Sequence, residues 1–358
     1  MIRMRRLFWA TWWAGVLLVL GLLACLGIAI ACRPGKAELG NRRMPASHSE
    51  KTKIAVFGDT QKGLAGFAAL AEIAKKEGVD LAIHTGDLVS QADAGHYDLA
   101  LRWIERARLG VPLVVTPGHH DVKGGEKLFE ERIGRRQLAF PWGPVDIVVI
   151  DNSTGPPDEA AAENMIAQSN RPILLFMHVP PIEAPTTNYV PKPAYVKFLQ
   201  MIRKYPVTHV FSGHAHGYSK VRDGNVVFVS NGVGGDSDSW QFGQKAHLTI
   251  VEASKDAIGS REISIDPVFS WGANVEHLAI GHVGEILLRR IWGIPALLLL
   301  MLALYFSWRG SRKKRSEKEK DEPEGRETGK VILKEKEEEE VKWKFTPSKS
   351  SDPPDVVI

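Results

Sequence analysis

Five short polar motifs constrain what this chain can fold into: Gly58-Asp59-Thr60-Gln61, Gly86-Asp87, Gly118-His119-His120-Asp121, a solitary His178, and Gly213-His214-Ala215-His216. Each follows an apolar run of strand length, and the loops that leave strand ends are where α/β sheets gather side chains into one crevice. Seven candidate metal ligands, Asp59, Gln61, Asp87, His119, His178, His214 and His216, are therefore expected to converge.

Between the motifs, strand and helix patterns alternate. Residues 53–57, 81–85 and 112–116 read as strands and residues 64–77, 97–109 and 125–133 as helices, which gives βαβαβα with a parallel sheet. Further strands are expected at 145–150, 173–177 and 208–211, and helices at 158–168 and 195–203. Residues 221–229 read as a hairpin around Asp223-Gly224, and 247–252 with 262–265 are expected to complete a second sheet. Two sheets with helices outside is the simplest packing. Alternation along an extended chain would put Asp59 and Gln61 on one side, and likewise His214 and His216, so that each pair grips one ion. Asp87 is the natural bridge, because a carboxylate has two oxygens and can link ions about 3.5–4 Å apart.

The ends of the 358-residue chain read differently. Residues 1–32 hold an uncharged run from Leu7 to Ala31 behind Arg3, Arg5 and Arg6, longer than the roughly 20 residues that span a bilayer. A cleaved signal peptide is the alternative, with Cys25 or Cys32 at a lipoprotein site; length favours a retained anchor. A linker is expected at 33–52 and the catalytic domain at 53–270. An amphipathic juxtamembrane segment follows at 271–290, where Val275, Leu278, Ala279, Val283, Ile286 and Leu287 recur at helical spacing; packing against the domain explains it equally well. A second span is expected at 291–308, stopped by Arg309, Arg312, Lys313, Lys314 and Arg315, and then a charged disordered tail over 309–358. Two spans predict a multi-pass cell-membrane protein with the domain outside and both termini in the cytoplasm. The middle of the chain is charge-balanced, so the net +4 comes from the ends and no nucleic-acid partner is expected. The terminal Val356-Val357-Ile358 could offer a strand to a protein partner, although a frayed apolar end is the better explanation.

The order of the motifs resembles the signature DxH, GDxx, GNH[DE], H, GHxH, and the chain is identified as a member of the calcineurin-like metallophosphoesterases over roughly residues 53–265. The resemblance implies an α/β fold, a four-layer αββα sandwich here flanked by two transmembrane helices. It also implies two divalent metal ions and hydrolysis of a phosphomonoester, phosphodiester or pyrophosphate by a metal-bound hydroxide. Carried over by position, Asp59, Gln61, Asp87 and His216 would hold one ion and Asp87, His119, His178 and His214 the other. His120 matches the catalytic histidine, and Asp121 the acidic residue that orients it. Anchoring makes a lipid-linked phosphate a reasonable substrate.

Two positions depart from the pattern: Gln61 stands where histidine is usual and His119 where asparagine is usual. The exchange leaves one site rich in oxygen and the other in imidazole. Oxygen-rich sites suit manganese or magnesium and imidazole-rich sites zinc or iron, so a mixed pair drawn from Mn, Fe and Zn is expected. The alternative function is a weakly active or inactive phosphate sensor that signals through the charged tail. Among the other histidines, His84 and His209 read as packed within strands, and His96, His247, His277 and His282 have no partner spacing. Residues 183–193 and 232–244 are candidate pocket rims, with Tyr189, Asp236 and Trp240 as their candidate contacts.

Overall fold

The computed structural model describes residues 37–43, 46–185, 189–235, 245–266, 270–278, 300–302 and 304–309, with residues 12, 13, 15, 16, 19, 35 and 268. It divides into a unit ending at Leu299 and a second from Leu300; the fold below belongs to the first. Its elements run β1 (Lys51–Phe57), α1 (Leu64–Glu77), β2 (Leu81–His84), α2 (Ala94–Ala107), β3 (Leu113–Val115), α3 (His119–Val122), α4 (Glu126–Arg132), β4 (Leu138–Trp142) and β5 (Val145–Val149). They continue as α5 (Glu159–Ile166), β6 (Ile173–Phe176), α6 (Tyr195–Ile202), β7 (Val207–Ser212), β8 (Tyr218–Asp223), β9 (Val226–Asn231), β10 (Ala246–Ser254), β11 (Ile258–Ile265) and α7 (Trp271–Glu276).

Two mixed sheets form, ordered β11-β10-β1-β2-β3 and β4-β5-β6-β7-β9-β8. The period of two along each strand decides what each face meets. In β1, Ala55 and Phe57 pack with Phe67, Leu70 and Ala74 of α1, while Ile54 and Val56 turn to the other sheet and join Ile147, Val149, Phe176 and Phe211. In that second sheet Val148 and Leu175 face outward onto Ala162 and Ile166 of α5 and Phe198 of α6. The layers are thus helix, sheet, sheet, helix. Strands buried on both faces read as unbroken apolar runs, as in the fully buried β2 and β6.

Local chemistry sets the helix ends. Asp93 caps α2 by accepting the His96 amide, and Asp158 caps α5 by accepting that of Ala161. Gly78 closes α1 at φ 67, a left-handed conformation that glycine adopts without steric cost.

Several expectations change. Residues 246–254 and 258–265 extend the first sheet, because β10 pairs antiparallel with β1 from Lys51↔Ser254 onward, rather than completing the second. The second sheet gains β4, whose Pro141 hides it from a propensity reading; β4 lies at the sheet edge, where a missing N–H is tolerated. The segment ahead of β1, expected to be a linker, packs in part. Asn41 is fully buried and pairs both ways with Val115 of β3, Nδ2 to O at 2.7 Å and N to Oδ1 at 2.7 Å, while also donating to Arg135 O.

The multi-pass membrane arrangement requires correction. No helix among the described residues is long and apolar enough to cross a membrane. Most of the run from Leu7 to Ala31, both cysteines, residues 291–299 and residues 310–358 lie outside the described residues, as do Asp236, Trp240 and His282. The cell-membrane localisation, with an extracytoplasmic domain and cytoplasmic termini, therefore falls, and the lipid-linked substrate loses the anchoring it was inferred from. Within the segment 271–290, Ala273 of α7 is buried with Leu64 and Leu99, so this helix docks on the domain.

Phe176 and Phe211 stack between the sheets with centroids 5.0 Å apart. Phe176→Ala is expected to cost about 3–5 kcal/mol, read as a lower urea midpoint at unchanged slope.

Candidate metal centre

All the motifs lie beyond the carboxyl ends of parallel strands. Asp59 and Gln61 follow β1, Asp87 follows β2, His119 and His120 open α3 after β3, His178 follows β6, and His214 and His216 follow β7. The loops are tied together by their own backbones: Asp59 N donates to Gly86 O at 2.9 Å, Gln61 N to Asp87 O at 3.1 Å, and Gly213 N to His178 O at 2.9 Å.

The ligand pairs do not come together by strand alternation. Among the described residues, six non-glycine residues have positive φ, and five of them are Asp59, Gln61, Asp87, His214 and His216, at 44–64°. The chain is coiled into left-handed turns at these five of the seven candidate ligands, at a cost on the order of 1–3 kcal/mol apiece. Clustering of that strain on the candidate ligands, with Arg108 alone elsewhere, points to a selected geometry. Close packing adds to it. A Cβ on Gly118 would collide with the backbone and carboxylate of Asp87, and one on Gly213 with the carboxylate of Asp59.

Asp87 lies at the centre and is fully buried. Its Oδ1 accepts the His120 amide at 2.8 Å. Its Oδ2 lies 3.1 Å from His119 Nδ1 and 3.4 Å from His178 Nε2, yet has no hydrogen-bond partner. The two histidine nitrogens are themselves 3.0 Å apart. His178 Nδ1 donates to the Thr85 carbonyl at 2.9 Å, which aims Nε2 inward. Ligand atoms of His119, His178 and His214 fall within 4.8 Å of one another, as do those of Asp87, His119 and His120 and those of Asp59, Asp87 and His178. His216 Nε2 stands 3.6 Å from Asp59 Oδ1, and both Asp59 oxygens accept the His214 amide, at 3.0 and 3.1 Å.

Electrostatics follows from burial. Desolvation would raise the Asp87 carboxyl, but His178 and His119 outweigh it and hold it well below the usual range. For His178 burial would lower the pKa, and Asp87 and Asp59 instead push it up to about 10. Burial, reinforced by the nearby His178 and His119, drives His214 down to about 3. Asp59 is raised well above the carboxylate range by burial, against the pull of His178. The field that favours a proton on His178 equally favours a cation at that point. Asp87 Oδ2, buried without a hydrogen-bond partner beside His178 Nε2, fits that reading.

Asp121 has other partners than the resemblance implies. Its carboxylate accepts the Val89 amide at 3.0 Å and the Gly118 amide at 2.9 Å, and burial followed by the charge of Asp87 raises it to about 7. The His120 ring is held instead by the Ser90 carbonyl, 3.0 Å from Nδ1. Asp121 thus braces the two loops that flank His120. Gln61 is placed beside Asp87 by its backbone.

Sequence reasoning missed Asn152. Its Oδ1 accepts the amides of His178 and Val179 at 2.9 and 3.0 Å, while Nδ2 donates to Val179 O and Tyr195 Oη. The available signal was an Asp-Asn-Ser run directly after an apolar strand. Tyr189, a rim candidate, stands edge-on to His214 at 5.6 Å. His84 contacts Thr60 Oγ1 at 2.8 Å and supports the first loop from below, while His209 stacks on Phe211; both are packed as expected.

Residues 52–218, which contain every candidate named in these motifs, match the family model for calcineurin-like phosphoesterases. The chain carries a calcineurin-like phosphoesterase domain. It is accordingly a metal-dependent phosphoester hydrolase. Among solved structures it is similar to a purple acid phosphatase from yellow lupin seeds, at 14% identity over 64% of this chain and 55% of that one, with a TM-score of 0.50. A dimetal phosphatase from Danio rerio is 11% identical over 61% of this chain and 99% of its own, with a TM-score of 0.46. No curated protein sequence matches the chain.

Asn152→Ala removes the clamp on two amides of the His178 loop. Affinity for Mn²⁺, measured by titration calorimetry, is expected to fall roughly 10–100-fold.

Proposed function

We propose that the phosphoesterase domain works through a dinuclear centre in which Asp59, Gln61, Asp87 and His216 hold one divalent ion and Asp87, His119, His178 and His214 the other. The observation that carries this reading is Asp87 Oδ2, buried without a hydrogen-bond partner between the ring nitrogens of His119 and His178. The other oxygen of Asp87 is engaged by the His120 amide, which fixes the carboxylate and leaves Oδ2 as the atom offered to cations. Two ions held there would activate water and neutralise the charge of a phosphate.

The protein's own side chains divide the remaining work. Asp59, Asp87 and His178 form the closed floor, with side chains that are 0% exposed, whereas His119 at 39% and His216 at 35% face the open side. A phosphoester would approach from the histidine side. His120 is half-buried with its amide and Nδ1 both engaged, so Nε2 is the nitrogen that, when the ring is protonated, can give a proton to the leaving group or donate to a phosphate oxygen. Burial lowers the pKa of this ring, which suits a group that must give up a proton near neutrality. The substrate class is a phosphomonoester, phosphodiester or pyrophosphate. The oxygen-rich set around Asp59 and Gln61 favours manganese and the imidazole-rich set favours zinc or iron. Metal analysis that finds two equally tight ions of one kind would remove this asymmetry.

Chromogenic phosphomonoester and phosphodiester substrates, assayed with added Mn²⁺, test the function directly. His120→Ala is expected to lose about 10²–10⁴ in kcat while keeping its metal, and Asp87→Ala to lose both metal and turnover. Full activity in His120→Ala would reject its role. An inert wild-type protein in both assays, with metal bound, would reject the phosphoesterase reading of the centre.

A further inference from the structure

The His120 ring is tied to a helix outside the matched domain. Ser90, whose carbonyl lies 3.0 Å from His120 Nδ1, has its own Oγ 3.1 Å from His277 Nε2. His277 directly follows α7, is buried, and sets its ring edge-on to that of His96 at 5.2 Å. His96 in turn pairs through Nδ1 with Asp93 Oδ2 at 2.7 Å, the residue that caps α2. The helix bearing His277 is seated firmly. Ala273 packs with Leu64 and Leu99, and Glu276 grips Arg106 with both oxygens, at 2.8 and 2.9 Å.

Residues 88–93 join β2 to α2 without regular structure. Asp121 fixes this connection at the Val89 amide, one residue short of the carbonyl that His120 uses. The contact of Ser90 Oγ with His277 is a second tie on the same connection, at the residue whose carbonyl His120 uses.

We propose that His277 is a positioning residue for His120: by bonding Ser90 Oγ it helps hold the Ser90 carbonyl that accepts the hydrogen bond from His120 Nδ1–H and leaves Nε2 toward the substrate. The inference builds on the reading of His120 as the group that meets the phosphate. It makes the segment after β11 part of the working enzyme, although the family match ends at residue 218.

His277→Phe keeps a ring against His96 and removes the partner of Ser90 Oγ, whereas His277→Gln keeps a polar end that can bond it. In the full metal-loaded chain, His277→Phe is expected to lower kcat about 10-fold with metal content and KM little changed, and His277→Gln to restore most of it. Nitrogen shifts of the His120 imidazole, followed by NMR, should show the Nδ1–H tautomer in wild type and His277→Gln and a mixture of tautomers in His277→Phe. Unchanged kcat and tautomer in His277→Phe would overturn the proposal, as would equal losses in both variants, because packing alone would then explain them. If wild-type protein hydrolysed no phosphoester, the reading of His120 would fall, while the tautomer comparison would still decide whether His277 controls its ring.

Discussion

The carboxylate of Asp87 is confined from every side. Its own backbone is left-handed at φ 54, Gly118 leaves just enough room for it, His120 engages one oxygen, and two imidazole nitrogens crowd the other. A buried anion without full hydrogen bonding is unfavourable unless positive charge meets it. The two-sheet scaffold holds Asp87 in that state because the floor beneath it is packed with aromatic side chains. Phe57 packs on His84, the last residue of β2, and Phe176 and Phe211 close the space between the sheets. Moving Asp87 outward would break the loop contacts that link Asp59, Gln61 and His178 to their neighbours.

Much of this was legible in the sequence. Unbroken apolar runs followed by Gly-Asp or Gly-His mark buried parallel strands and their exits, and the ladders β1-β2-β3 and β5-β6-β7 match that pattern. Alternation failed at Asp59-Thr60-Gln61 and His214-Ala215-His216 because it assumes extended backbone. These residues lie past the strand ends, where side-chain direction is set by turn geometry. The placement of β10 and β11 was hidden for another reason: the apolar pattern shows that a strand is buried but not which sheet buries it. Asn41 and Asn152 act through bonds to backbone far along the chain, 74 residues apart in the case of Asn41 and Val115. Neither residue type signals a distant partner in a sequence.

The exchange at Gln61 and His119 acquires a spatial meaning. His119 stands on the open side of the cluster, between His120 at 4.3 Å and His214 at 4.8 Å between ring centroids. The change at His119 thus lies toward the open side, while the change at Gln61 lies deep beside Asp87, with the residue 8% exposed.

Five left-handed residues at the ligand positions also bear on how such a chain can change over generations. Each is held in a conformation that a glycine or asparagine would adopt with less strain. Substitution by glycine at these positions can therefore relax the backbone even as it removes a ligand, so loss of the metal centre need not carry a folding defect. The scaffold would outlast its chemistry, and a lineage in which a ligand decayed could keep the same two sheets for a different use.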